Sequence, residues 1–159
     1  MINEVEGNLI TLALEGSFDV IAHGCNCFCK QKSGLAPQMV KAFNTDIFAL
    51  ENPKYEGDIN KLGMIDYQLR RTLSGKEFYV VNAYTQYYNR NNLPSTVPVP
   101  LDYQALKLCM RKINHIFKGK HIGLPKIGAG KAGGNWHVIF EDIKRELKDC
   151  NVTIVNFKE

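Results

Sequence analysis

Short β-branched apolar runs along the chain alternate with longer stretches in which apolar residues recur every three or four positions. The runs predict strands near Ile2–Val5, Asp19–His23, Met64–Leu69, Phe78–Tyr84, His121–Leu124 and Val152–Phe157. Those at 20–22 and 79–83 are apolar without alternation, as in strands covered on both faces. Asn135 is a good N-cap, and Trp136, Ile139, Phe140, Ile143 and Leu147 follow at helical spacing. Asp102 caps a second helix with the stripe Leu106, Met110, Ile113 and Phe117, stopped by Gly119. A third starts near Gly34, tolerates Pro37 in its first turn and carries Leu35, Met39, Val40 and Phe43. This alternation predicts an α/β class, with helices on both faces of a mainly parallel or mixed sheet.

Length and composition narrow the class. The chain has 159 residues, 45% of them hydrophobic and 23% charged, which suits one compact domain over 1–159 with an ample core. No linker or repeat divides it; Tyr88 to Pro100 reads as a surface excursion. No apolar run approaches a membrane span, and the first residues lack the basic-then-apolar order of a secretory signal, so no membrane partner is expected. Cys25, Cys27 and Cys29 alternate along a strand end, a poor disulfide framework that points to a reducing cytoplasm.

The net charge of +4 is mild, but its distribution is uneven. Between Tyr103 and Phe140 there are seven Lys or Arg and no Asp or Glu, and five glycines fall between Gly123 and Gly134. An acid-free, glycine-rich region points to an anionic ligand. Within it, Gly128-Ala-Gly130-Lys-Ala-Gly133-Gly134 joins a strand to the Asn135-capped helix, so backbone N–H groups and a helix N-terminus can meet an anion. The dinucleotide fingerprint is a poor match, because only one strand follows and the acidic partner is missing. A Walker A loop fails because Ala132 follows Lys131. A second strand–loop–helix junction runs from His23 through Asn26, Lys30, Lys32 and Ser33 to Ala36. Two such loops suit a diphosphate.

His23 follows a buried strand beside the first loop. It reads either as a general base near neutral pH or as a histidine satisfied by backbone hydrogen bonds. With His23, the three clustered cysteines lack the distant second pair of a structural zinc site, so no metal is expected. Tyr84, Tyr87, Tyr88 and Arg90 read either as a stacking surface for a base or as a partly exposed strand end. Neither glycine loop holds a carboxylate.

Val20-Ile-Ala-His-Gly-Cys-Asn-Cys27 and Ser33-Gly-Leu-Ala36, paired with Leu124-Pro-Lys-Ile-Gly-Ala-Gly130 and Gly134-Asn-Trp136, resemble the macrodomain family of ADP-ribose-binding modules. With Val80-Val-Asn-Ala-Tyr-Thr-Gln86, the pattern is most similar to the ADP-ribose 1''-phosphate phosphatases and their phage and bacterial relatives. The resemblance spans nearly the whole chain and implies a three-layer α/β/α sandwich around a six-stranded mixed sheet. It places Asn8, with Leu9 beside it, at the adenine amine, and Asn26 at the distal ribose. Ser33, Gly34 and Leu35 then line one side of the diphosphate. Ile127, Gly128, Ala129, Gly130, Lys131, Ala132 and Gly133 wrap the other side and the distal ribose, and Phe157 packs on adenine. His23 is the residue the resemblance implicates in turnover. Lys32 replaces a glycine usual in that branch, which adds a charge at the phosphate or changes the loop's path. Where related glycohydrolases carry a lysine and an aspartate, Ala83 and Ala132 stand here, which argues against a lysine Schiff base.

The resulting expectation is a protein that binds ADP-ribose and hydrolyses the phosphomonoester of ADP-ribose 1''-phosphate, without a cofactor and as a monomer. The alternatives are a non-catalytic reader of free or macromolecule-linked ADP-ribose, or a de-ADP-ribosylating hydrolase with a non-lysine mechanism. Nucleic-acid binding through the basic stretch ranks last, because a helix core interrupts its charges.

Overall fold

A computed structural model describes residues 2–49 and 56–158. Six strands form one sheet: β1 (Ile2–Gly7), β2 (Val20–Asn26), β3 (Ile65–Arg71), β4 (Glu77–Gln86), β5 (His121–Leu124) and β6 (Asn151–Phe157). Their order is β1-β6-β5-β2-β4-β3; β3 runs antiparallel to β4 and the remaining pairs are parallel. The sheet is therefore mixed, with six strands, as the resemblance implies.

Both faces are covered, which explains the unbroken apolar run in β2. Val20 and Ala22 pack with Val81, Ile122 and Ile154 under α4 (Tyr103–Ile116) and α5 (Trp136–Glu146). Ile21 turns the other way, to Phe18, Phe78, Met39 and Phe43 beneath α1 (Leu9–Leu14) and α2 (Ala36–Phe43). A short α3 (Thr45–Ala49) completes that layer. The expected stripe of α4 is buried, while in α2 and α5 Met39, Phe43, Ile139 and Ile143 are buried and Leu35, Val40, Trp136 and Phe140 half-buried; Asp102 and Asn135 cap α4 and α5.

Two differences bear on the site. β2 continues to Asn26 and β4 to Gln86, three and two residues beyond the apolar runs, so polar residues reach the sheet's end while still paired. The unforeseen helix α1 follows directly on β1, with the Asn8 Oδ1 accepting from the N–H groups of Ile10 and Thr11 at 3.0 and 3.1 Å. Among the described residues, no helix is long and apolar enough to cross a membrane.

Two cations of the 103–140 stretch are engaged within the fold. The Arg111 guanidinium donates twice to Glu146, both at 3.0 Å, and holds that carboxyl below its ordinary pKa. Lys112 donates to the Gly63 carbonyl at 2.9 Å.

Candidate functional site

The carboxyl ends of β2, β5 and β6 open into a cleft, where an α/β sheet of this kind gathers ligands. The loop leaving β2 is shaped by Asn26. Its Oδ1 accepts from the Phe28 and Lys30 N–H groups at 3.0 and 3.2 Å, and its Nδ2 donates to the Lys30 carbonyl at 2.8 Å. One amide hydrogen of Asn26 remains for a ligand. The loop then brings Ser33, Gly34 and Leu35 to the cleft. Lys32 faces elsewhere, in a groove with Pro37, Val40 and Asp46, and adds no charge to the site.

The loop leaving β5 is tied down at several points. Gly128 has φ +79°, and its carbonyl accepts from the Gly134 N–H at 2.8 Å. That left-handed turn favours glycine. Leu101 N–H donates to the Ala132 carbonyl at 3.0 Å, and Arg90 Nε to the Lys131 carbonyl at 2.6 Å. The long loop after β4 is thereby stitched to this one. Ile127, Gly128, Gly130, Lys131 and Ala132 line the cleft. Ala129 packs against the core and Gly133 faces Val99, so neither is among the lining residues. Not every glycine here serves a ligand: a Cβ at 123 would lie 2.7 Å from the Phe18 ring, and one at 134 would lie 2.2 Å from Leu101.

Two chambers meet at Gly34, Leu35 and Pro125. The apolar one, about 310 Å³, is walled by Leu9, Leu35, Val155 and Phe157. Asn8 is not among the lining residues, although its chain neighbours Gly7 and Leu9 are; its carbonyl oxygen is engaged by the α1 cap, which leaves its amide group to donate. The other chamber, about 180 Å³, is polar. Lys30, Lys126, Lys131 and Arg90 border it, and among the described lining residues there is no carboxylate. Lys30 is paired with Glu56 at 3.0 Å.

His23 borders the polar chamber and is 2% exposed. Its Nε2 lies 2.6 Å from Asn82 Oδ1. The Asn82 amide donates to the Thr45 carbonyl at 3.0 Å and to Asp66 Oδ1 at 2.9 Å, so its oxygen must face the imidazole. The proton therefore sits on Nε2, and Nδ1 is left as a buried acceptor without a partner among the described residues. Burial lowers the His23 pKa to about 4, so the ring is neutral at physiological pH. The backbone-satisfied alternative is not what holds this ring; a side-chain amide does.

The cysteines are free and buried. Cys25, Cys27 and Cys29 pack with Tyr84 and Ala49. Burial pushes the Cys27 thiol up to about 12 and Cys25 well above its ordinary value, so neither is a ready nucleophile. Among the described residues no group of three or more His, Cys, Asp or Glu could hold a metal ion. None of Tyr84, Tyr87 and Tyr88 lines either chamber: Tyr84 is buried with its hydroxyl donating to Asp66, and Tyr87 donates to the Gly57 carbonyl at 2.7 Å. Arg90 alone of that group reaches the cleft.

Ala83 also departs from its expected place. It lies in the core beneath α4, and the β4 residues that border the cleft are Thr85 and Gln86. None of the three is a lysine. Thr85, Gln86, Gly24 and Gln31 also line the cleft. Their one signal was a polar ending to a buried apolar run.

Comparison with known proteins fits this geometry. No family model matches the chain. An uncharacterized 17.5 kDa protein from the tk–vs intergenic region of enterobacteria phage T4 is 34% identical, over 99% of this chain and 97% of its own length. The macrodomain of Thermus aquaticus DarG superposes with a TM-score of 0.72 at 21% identity, covering 98% of this chain and 97% of that one. The chain belongs to one family with the phage protein, and its fold is that of a macrodomain. Thermosipho africanus DarTG in complex with ADP-ribose, of which 41% is covered, superposes on 98% of this macrodomain with a TM-score of 0.73 at 14% identity.

Proposed function

We propose that this macrodomain binds ADP-ribose in the two-chambered cleft and hydrolyses the phosphomonoester of ADP-ribose 1''-phosphate. The observation that carries the reading is the division of the cleft: an apolar chamber sized for adenine adjoins a polar, carboxylate-free chamber bordered by cations and glycine-loop amides. Leu9, Leu35 and Phe157 would hold the base. Ser33, Gly34 and the 127–132 loop would hold the diphosphate through backbone N–H groups, and Lys126, Lys131 and Arg90 would offset its charge. Asn26 would offer its remaining amide hydrogen to the distal ribose.

For hydrolysis, water attacks the terminal phosphorus and the P–O bond to the sugar breaks, giving ADP-ribose and phosphate. His23 Nδ1 is the unpartnered base that would accept the water's proton. Incubation with ADP-ribose 1''-phosphate should release inorganic phosphate, and His23→Ala should abolish release while leaving ADP-ribose binding intact. No release from the wild-type protein would refute the catalytic reading.

A second reading, a non-catalytic reader of ADP-ribose on macromolecules, is favoured by the same histidine. A base held near pKa 4 drives proton abstraction weakly at neutral pH. ADP-ribosylated protein and DNA, run as parallel substrates, separate the readings: capture without release supports the reader. A de-ADP-ribosylating hydrolase would have to act without a lysine from β4.

A further inference from the structure

We propose that Arg90 is a positioning residue: its Nε braces the glycine loop after β5 in the shape that meets a phosphate, while its outer nitrogens stay available to the anion. The proposal rests on the ADP-ribose reading and deepens it.

The loop needs a brace. Gly128, Gly130, Gly133 and Gly134 stand within one short segment, and glycine loses more conformational freedom on ordering than any other residue. A loop that orders only when the ligand arrives gives up affinity, and one held beforehand keeps it. Two successive carbonyls of this loop are held from outside it. Arg90 Nε donates to the Lys131 carbonyl at 2.6 Å, and the Leu101 N–H donates to the Ala132 carbonyl at 3.0 Å. Across a trans peptide the N–H points opposite to the carbonyl, so Arg90 also fixes the direction of the Ala132 N–H. That N–H makes no hydrogen bond among the described residues, and Ala132 lines the polar chamber.

Arg90 is itself fixed. It sits in a self-tied turn: Asn89 Oδ1 accepts from the Asn91 and Asn92 N–H groups at 2.8 and 3.1 Å, and Asn92 Oδ1 accepts from the Asn89 N–H at 2.8 Å. Gly133 gives the guanidinium its seat. A Cβ at 133 would stand 3.1 Å from Arg90 Nη2 and 2.8 Å from Val99 Cγ1. Nη1 and Nη2 have no partner among the described residues, and the side chain borders the polar chamber. One side chain thus serves the anion twice, through the loop it holds and through its own charge.

Two substitutions separate those roles. Glutamine carries an N–H donor as many bonds from the backbone as Arg90 Nε, methionine has a similar reach without a donor, and neither is charged. The Gly133 and Gly134 N–H groups, bonded to the Gly130 and Gly128 carbonyls at 3.0 and 2.8 Å, report the order of the loop in hydrogen exchange. In the free protein Arg90→Met should speed exchange at both glycines about tenfold, while Arg90→Gln stays near the wild-type rate. Calorimetric titration with ADP-ribose at high salt, where the lost charge is screened, should find Arg90→Met about tenfold weaker than Arg90→Gln. The proposal is overturned if Arg90→Met leaves loop exchange unchanged, or if the two variants exchange or bind alike. Wild-type protein that binds no ADP-ribose would remove the ADP-ribose reading itself, and exchange in the free protein would still judge the brace.

Discussion

His23 and Asn82 face each other across the β2–β4 pairing, with Nε2 2.6 Å from Oδ1, and the asparagine amide fixes which ring nitrogen carries the proton. The same amide ties α3 to the sheet through Thr45 and the edge strand through Asp66. Asn82→Leu, with the same number of side-chain heavy atoms, would strand the imidazole N–H and remove one hydrogen bond each from the Thr45 carbonyl and Asp66. Urea denaturation should show a loss of about 3 kcal/mol. A loss below about 0.5 kcal/mol would mean that the network does not hold the end of the sheet.

The burial of His23 also makes a pH prediction. Its pKa is lowered from 6.5 to about 4 in the folded protein, so between those values the unfolded chain binds a proton that the native state excludes. The stabilising contribution is whole above about 6.5 and fades as pH falls toward 4. Relative to His23→Asn, wild-type unfolding free energy should fall by about 3 kcal/mol across that window. Parallel pH profiles for the two proteins would contradict a buried, neutral histidine.

Among the cations, position decides function. Lys131 borders the polar chamber and Lys32 lies in a separate groove. Lys131→Ala should weaken ADP-ribose binding about three- to tenfold at low salt, less at high salt, while Lys32→Ala changes nothing. Equal effects from the two lysines, measured by titration, would place the phosphate elsewhere.

Phe157 is 61% exposed at the end of β6, yet it walls the apolar chamber. Its replacement by Ala should cost about tenfold in affinity for AMP and for ADP-ribose alike, since both carry the base. A loss confined to ADP-ribose would show that the base binds away from this ring.

The reach of the sequence follows from the range of the signals. Helix α5 is legible because an N-cap and about three turns of stripe lie within one segment, and the glycine loops are legible because a left-handed turn demands its residue locally. Helix α1, with six residues, is under two turns and offers no periodicity to read. Asn8 and Asn26 show the other limit. Asn26 lines the cleft and Asn8 adjoins lining residues in the chain, but much of the hydrogen-bonding capacity of each goes to a loop or a helix cap, and only coordinates reveal that division of labour. Gly24, Thr85 and Arg90 enter the site through strand pairing and a returning loop, contacts between residues dozens of positions apart.

The proposed function requires that the two chambers bind ADP-ribose as one site. Calorimetric titration with ADP-ribose tests it most directly, with the Phe157→Ala and Lys131→Ala proteins as probes of each chamber. Saturable one-to-one binding that each substitution weakens is the expected result. No heat and no thermal stabilisation at millimolar ADP-ribose would contradict it, as would binding that neither substitution alters.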